Sequence, residues 1–223
     1  MVIVKSNPEI SINPLVEYIS ASDRRKRSIV RQQKNPSDFI IARYRMARSA
    51  FANYFKKEYD ESVLVSAIER LQNRVQTSDW TRNDTVNSIE ALRHFLAIEF
   101  PFKSLKCRFV KPDIKTYSIN GVAIIVAPDL LLEWEVDGKR RTGAIKFYIK
   151  KKNLTYQQGR LNASLLADFM NYIYPKGTIV SKQHCICVDV MNQRVFSAPA
   201  NIDDDMNLVA DACQEINMLW RAS

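Results

Sequence analysis

The apolar positions of this chain change their period near residue 105. Before that point they recur every three or four residues, the spacing of one helix face. Phe39, Ala42, Met46, Ala50 and Tyr54, widened by Ile40, Ala47 and Phe51, predict a helix over about 38–59. The run Asn35-Pro36-Ser37-Asp38 supplies its start, with a capping side chain and a proline in the first turn. Val63, Leu64, Ala67, Ile68, Leu71 and Val75 predict a second helix after Asp60. Val86, Ile89, Leu92, Phe95 and Leu96 predict a third, capped at Asn83-Asp84 and ended by Pro101, with 77–80 as the loop before it. Residues 1–22 hold one short apolar run, Val2-Ile3-Val4, and breaks at Pro8 and Pro14, and they read as an arm or an edge strand.

After residue 105 the pattern is that of strands. Segments 105–111, 114–119 and 122–127 are strand-like, and Asn120-Gly121 joins the last two as a tight hairpin turn. A longer hairpin follows over 122–151, turning at Asp137-Gly138. Leu161, Leu165, Leu166, Phe169 and Ile173 line one side of a helix over 159–174, stopped by Pro175 and Gly177. A strand over 178–190, a turn at Asn192-Gln193 and a short partner over 194–197 lead to a last helix over 203–221. Helices, a meander, a helix, a hairpin and a helix predict an α/β fold with a central mixed β-sheet flanked by helices. The chain divides into a basic, mainly helical region, 1–104, and a sheet-centred core, 105–223, whose core helix begins at about residue 84. No linker separates them, so they read as one continuous body.

Composition narrows the class. The chain has 223 residues, 46% of them hydrophobic and 26% charged, with only 5 Gly and 8 Pro, which excludes a low-complexity chain. No apolar run approaches the roughly 18 residues of a membrane span, and the N-terminus has no secretion pattern. The four cysteines match no zinc spacing, and the expectation is a cytoplasmic protein with reduced thiols. No Gly-rich phosphate loop or Gly-x-Ser-x-Gly elbow occurs. The net charge of +9 favours a polyanionic partner, above all nucleic acid. Arg24, Arg25, Lys26, Arg27, Arg31 and Lys34 form the densest basic cluster, a grip on phosphates or a solvated segment. Lys150, Lys151 and Lys152 either track a phosphate backbone or end a strand in solvent. Gln157, Gln158 and Arg160 stand at a helix N-terminus, which suits anions.

The central hairpin carries the candidate chemistry. Asp129 follows Pro128, and Lys146 interrupts an apolar run on the neighbouring strand. Strand alternation puts Asp129, Leu131, Glu133 and Glu135 on one face, and Ala144, Lys146 and Tyr148 on one face. Carboxylates there would hold a divalent cation for phosphodiester hydrolysis, with a lysine to orient the nucleophile or steady developing charge.

This arrangement resembles the PD-(D/E)XK superfamily of restriction-endonuclease-like nucleases. Pro128-Asp129 resembles its first motif, and Ala144-Ile145-Lys146 lies where its second should be. The resemblance covers about residues 84–198. It implies a core of helix, three strands, helix and strand, with Asp129 as a metal ligand, Lys146 as the catalytic lysine, and Mg²⁺ or Mn²⁺ as the cofactor. It also implies DNA rather than RNA as substrate, Arg160 near that DNA, and a setting in restriction, phage defence, mobile-element biology or repair. The sequence departs at Ala144, where the family has an acid. Glu133 or Glu135 from the Asp129 strand, or Glu90 or Glu99 from the preceding helix, would have to replace it, Glu90 before the others. The alternatives are a catalytically silent nucleic-acid-binding or partner-binding subunit, or a helical adaptor whose first hundred residues mediate assembly with the sheet domain as scaffold, the partner being another protein or further copies of this chain in a homo-oligomer.

Overall fold

The proline-interrupted start of the chain is built into the structure. This computed structural model describes residues 5–36 and 43–222. Glu9–Ser11 is strand β1, and Ile12–Ile19 is helix α1. Pro14 stands in the first turn of α1, where a missing N–H costs nothing, so it starts a helix rather than breaking one. The basic cluster is also helical, α2 (Asp23–Lys34), which buries Ile29 and Val30. Of the start expected at 35–38, Asn35 instead ends α2 as its C-cap, and 37–38 lie outside the described residues. The helix itself, α3 (Arg45–Lys56), begins after Tyr44, whose φ is 61°. Helix α4 (Ser62–Gln72) follows.

Helix α5 (Asp79–Leu96) starts four residues earlier than the Asn83-Asp84 reading, because the Ser78 side chain accepts the Thr81 N–H. Asp84 lies inside the helix. It accepts the Tyr44 N–H at 2.9 Å and pairs with Arg74 at 3.2 Å. Then come β2 (Arg108–Val110), β3 (Thr116–Ile119), β4 (Val122–Ile125), β5 (Leu130–Val136) and β6 (Lys139–Tyr148). Asn120-Gly121 has φ of 48° and 76°, and Asp137-Gly138 has 51° and 70°. Those values make both dipeptides the left-handed turns that match strand twist. Helix α6 (Tyr156–Ile173) is started by a reciprocal cap between Thr155 and Gln158. Strand β7 (Ile179–Asp189), one 3₁₀ turn, β8 (Arg194–Ser197) and α7 (Asp203–Ala222) complete the chain.

The strands form a five-stranded mixed sheet, β2-β5-β6-β7-β8, and a three-stranded sheet, β1-β4-β3. Only β6–β7 in the large sheet and β1–β4 in the small one are parallel. Parallel β6 and β7 need a crossover, and α6 provides it. Along this pair the register jumps: Thr142 faces Val180 but Ala144 faces Cys185. A Cβ on the intervening Gly143 would come 2.5 Å from the His184 carbonyl oxygen, so the bulge requires glycine.

Helices cover both faces of the large sheet. Leu130, Leu132, Ile145, Phe147, Ile186 and Val188 pack beneath α3, α4 and α5, where Phe51 stacks on Phe95 at 4.1 Å. Leu131, Ala144 and Cys185 face the other way, into a core built with α1, α2, α6, α7 and the small sheet. The N-terminal segment is tied into this core by the β1–β4 hydrogen bonds and by α1 and α2 packing on α6 and α7.

Candidate active site and nucleic-acid interface

Asp129 enters β5 after Ala127, whose φ is 42°, and the buried Pro128. Its N–H donates to the Ile145 carbonyl at 2.8 Å, one step beyond the Leu130–Ile145 pair, which brings Asp129 opposite Lys146. Lys146 lies between Ile145 and Phe147, both fully buried. Its Nζ is 4.0 Å from Asp129 Oδ2 and donates to the Ala127 carbonyl. Burial pushes the Lys146 pKa below the usual lysine value, and the Arg48 charge adds to this while Asp129 works against it. The structure therefore brings together the two residues on which the sequence reading centred.

A third residue joins them. Arg48 on α3 donates from Nη1 to Asp129 Oδ1 at 2.8 Å, and the Phe147 N–H donates to Oδ2 at 2.8 Å. Both carboxylate oxygens are thus engaged. Arg48 is 81 residues from Asp129 in sequence, and on the helix it looks like one more surface cation. Ala144 is fully buried. Among the described residues no three His, Cys, Asp or Glu side chains come together where a metal ion would be held. As placed, Asp129, Lys146 and Ala144 do not fit a divalent cation: the one carboxylate is neutralised by a guanidinium and a backbone donor, and an ammonium sits beside it.

The candidate replacement acids lie elsewhere. Glu133 faces Thr142, four residues along β5 from Asp129, a separation of roughly 13 Å. It accepts from Arg108 at 2.6 Å and from the Tyr174 hydroxyl at 2.7 Å. Burial raises its proton affinity, but these two hydrogen bonds, together with the charges of Arg108 and Arg140, hold its carboxyl below the usual range. It borders a separate pocket of about 400 Å³ with Arg108, Arg140 and Tyr174. Glu133 therefore does not join Asp129: it is held by Arg108 and Tyr174, while Asp129 is held by Arg48 and the Phe147 N–H. Glu90 is half-buried on α5 and makes no hydrogen bond or ion pair among the described residues. Its charge adds to the burial that raises the Tyr44 pKa.

The basic cluster on α2 divides into two sets. Arg25 bonds Glu17 at 2.9 Å, Lys26 pairs with Glu215 at 2.7 Å over the Tyr18 ring, and Lys34 donates to the Trp220 carbonyl at 2.9 Å. These three fasten the helix to α1 and α7. Arg24, Arg27 and Arg31 are exposed, and their side chains have no partner among the described residues. Their spacing of three and four residues aligns them on one stripe. Glu17 then links this helix to the segment after β6. The Arg25 hydrogen bond, together with the charges of Arg25, Lys150 and Lys152, lowers its pKa against the opposing effect of burial. Gln158 at the head of α6 also donates to Ser20 Oγ at 3.3 Å. Lys150, Lys151 and Lys152 are exposed and stand beside the α1–α2 corner, with Lys150 over the Tyr148 ring. Arg160 is committed to the buried Asp205 at 3.1 Å, which Ser164 also bonds at 2.6 Å. It anchors α6 to α7.

Cys185 and Cys187 share a strand face as buried thiols, and all four cysteines are unpaired. No helix among the described residues is long and apolar enough to cross a membrane. No family model matches the chain, and no curated protein shows significant similarity to it.

Proposed function

We propose that this protein binds nucleic acid through its α2 face and is a catalytically silent relative of the PD-(D/E)XK nucleases. The observation that carries the reading is the stripe of exposed Arg24, Arg27 and Arg31, whose side chains have no partner among the described residues, on the helix whose Arg25 shares Glu17 with Lys150 and Lys152. Such a surface grips phosphates by charge and gives affinity without reading bases. Lys151 and the paired Arg25 extend it. Duplex DNA is the preferred ligand on the strength of the family resemblance. The unpaired thiols agree with a cytoplasmic setting, and roles in defence, mobile elements or repair follow only from the resemblance.

The state of Asp129 separates binding from cutting. With Arg48 and the Phe147 N–H on its oxygens and alanine at 144, the hairpin lacks the free carboxylates that metal-dependent cleavage needs, which supports the silent reading. A second reading, Mg²⁺- or Mn²⁺-dependent cleavage, is favoured by one feature, the buried Lys146 beside Asp129. It requires Asp129 to leave Arg48 and a second acid, Glu90 first, to reach it.

The test uses labelled single- and double-stranded DNA and RNA, with Mg²⁺, Mn²⁺ or EDTA, and the wild type beside Asp129→Ala and Lys146→Ala. Salt-sensitive binding that needs no divalent metal, persists in EDTA and is not accompanied by cleavage is the expected result. Metal-dependent cutting lost in both variants would establish the second reading. No salt-sensitive binding to any of the four nucleic acids would sink the proposal and leave the scaffold or adaptor role.

A further inference from the structure

We propose that the free edge of β2 is a docking groove for an extended acidic segment of another protein, which adds to the five-stranded sheet as a further strand. β2 lies at the end of the sheet order and pairs only with β5. Among the described residues, no backbone hydrogen bond is made to residues 106–111 from any other element. Alternate N–H and C=O groups of a strand in this position point away from the sheet and stay open to a partner. Beside that edge runs a groove of about 1180 Å³, with the end of α3 as its other wall. It is on the α3–α5 side of the sheet, whereas α2 packs on the opposite side.

The charge of the groove selects the occupant. Lys56, Lys103, Lys106 and Lys111 line it, and none of their ammonium groups has a partner among the described residues. Arg108 is already matched by Glu133, and Glu58 is the one carboxylate in the lining. Lysines flanking the short edge strand and lining its groove discourage a neutral or basic strand there, including a second copy of this chain, which would bring the same lysines together. The same lysines attract a strand whose side chains are acidic. Nucleic acid is less well served here. The rings that would stack on bases are turned inward: Phe109 lies 5.1 Å from Phe55 and 6.0 Å from Tyr59, and Tyr59 donates its hydroxyl to the Phe102 carbonyl. An edge with open backbone groups, a long groove and unmatched lysines is the setting for strand addition, where main-chain bonds give affinity and side chains give specificity.

The experiment uses the full chain and three fluorescein-labelled probes, read by anisotropy. They are a peptide of alternating glutamate and valine about seven residues long, the same peptide N-methylated at alternate backbone nitrogens, and single-stranded oligo-dT. The plain acidic peptide is expected to bind. N-methylation is expected to weaken it roughly thirtyfold, the effect of two lost backbone hydrogen bonds. The charge-reversed variant Lys103→Glu/Lys106→Glu/Lys111→Glu is expected to lose peptide binding and keep oligo-dT binding at the α2 face. Equal binding of the plain and N-methylated peptides would overturn strand addition and leave only charge attraction. Loss of oligo-dT binding in the charge-reversed variant would reassign the groove to nucleic acid. A concentration-dependent dimer abolished by that variant would reassign it to a second copy. Because the reversed lysines are exposed, circular dichroism and melting of the variant are expected to match the wild type, so that lost binding reports the groove.

Discussion

The stripe on α2 makes a quantitative prediction about salt. Arg24, Arg27 and Arg31 are exposed and have no partner among the described residues, and the first and last are seven helical steps apart, or about 10 Å. That length matches about three base steps along a duplex, so all three guanidinium groups can rest on phosphates at once. For three phosphate contacts the logarithm of the binding constant falls by about 2.7 per decade of salt. From 50 to 200 mM salt, these three residues alone then account for roughly a fortyfold loss of affinity. The variant Arg24→Ala/Arg27→Ala/Arg31→Ala should bind a labelled duplex more weakly, and its salt slope should be shallower by about that 2.7. Its melting should stay within about 0.5 kcal/mol of the wild type, because no partner is left unpaired. The assay is anisotropy titration at four or five salt concentrations. An unchanged slope in the variant, with binding otherwise intact, would refute the assignment of the phosphate contacts to this stripe.

Three further outcomes follow from the hairpin and the thiols. Asp129→Ala leaves Arg48 and the Phe147 N–H without an acceptor, and with Asp129 side-chain exposure at 15% the cost should be about 2 kcal/mol, read as a lower urea midpoint at unchanged slope; wild-type stability in this variant would show the pair to be incidental. Lys146 has its pKa lowered in the folded state, so between that lowered value and about 10.4 the unfolded chain binds more protons. Wild-type stability should therefore rise with pH across that window relative to Lys146→Met, and parallel stability–pH curves would contradict it. Burial raises the Cys107 thiol to about 11 and Cys185 and Cys213 to about 12, with Cys187 raised further. At pH 8 a thiol reagent should modify the half-buried Cys107 slowly and the other three only after denaturation, which peptide mapping would reveal.

The parts of the fold legible in the sequence were those set by local chemistry. Asn120-Gly121 and Asp137-Gly138 announced their turns because few other dipeptides adopt two successive positive φ angles readily. Helical periodicity located α4, α6 and α7 because their apolar faces repeat without interruption. The start of α5 was misplaced because Ser78 and Asp84 are both capping residue types. The choice between them is made by the distant partners Arg74 and Tyr44, which take up Asp84. The site divided in the same way. Asp129 and Lys146 were readable because a charge in an apolar strand is a local anomaly. Arg48 was not, since its meaning lies in a contact across 81 residues. Glu133 looked eligible because alternation fixes only the face of a strand, whereas joining Asp129 also depends on the roughly 13 Å between them. Arg160 looked free for DNA because its partner, Asp205, lies 45 residues downstream at the head of the last helix.

The fastening of α2 has a consequence for synthesis on the ribosome. β1 pairs with β4 across more than a hundred residues, and Lys26 meets Glu215 across 189. Contacts of such separation form late, and the chain emerges N-terminus first. The basic helix is therefore made early, and its contacts to α7 through Lys26 and Lys34 form only after that last helix has emerged. During that interval its ten or so neighbouring polar and charged residues travel without a fixed orientation, close to ribosomal RNA of opposite charge. A product truncated before residue 215 would keep the arginines and lose the Glu215 and Trp220 contacts that hold the helix to α7. Premature termination would then leave the basic helix held only by α1 and its neighbours, with its arginines less firmly directed than in the finished protein.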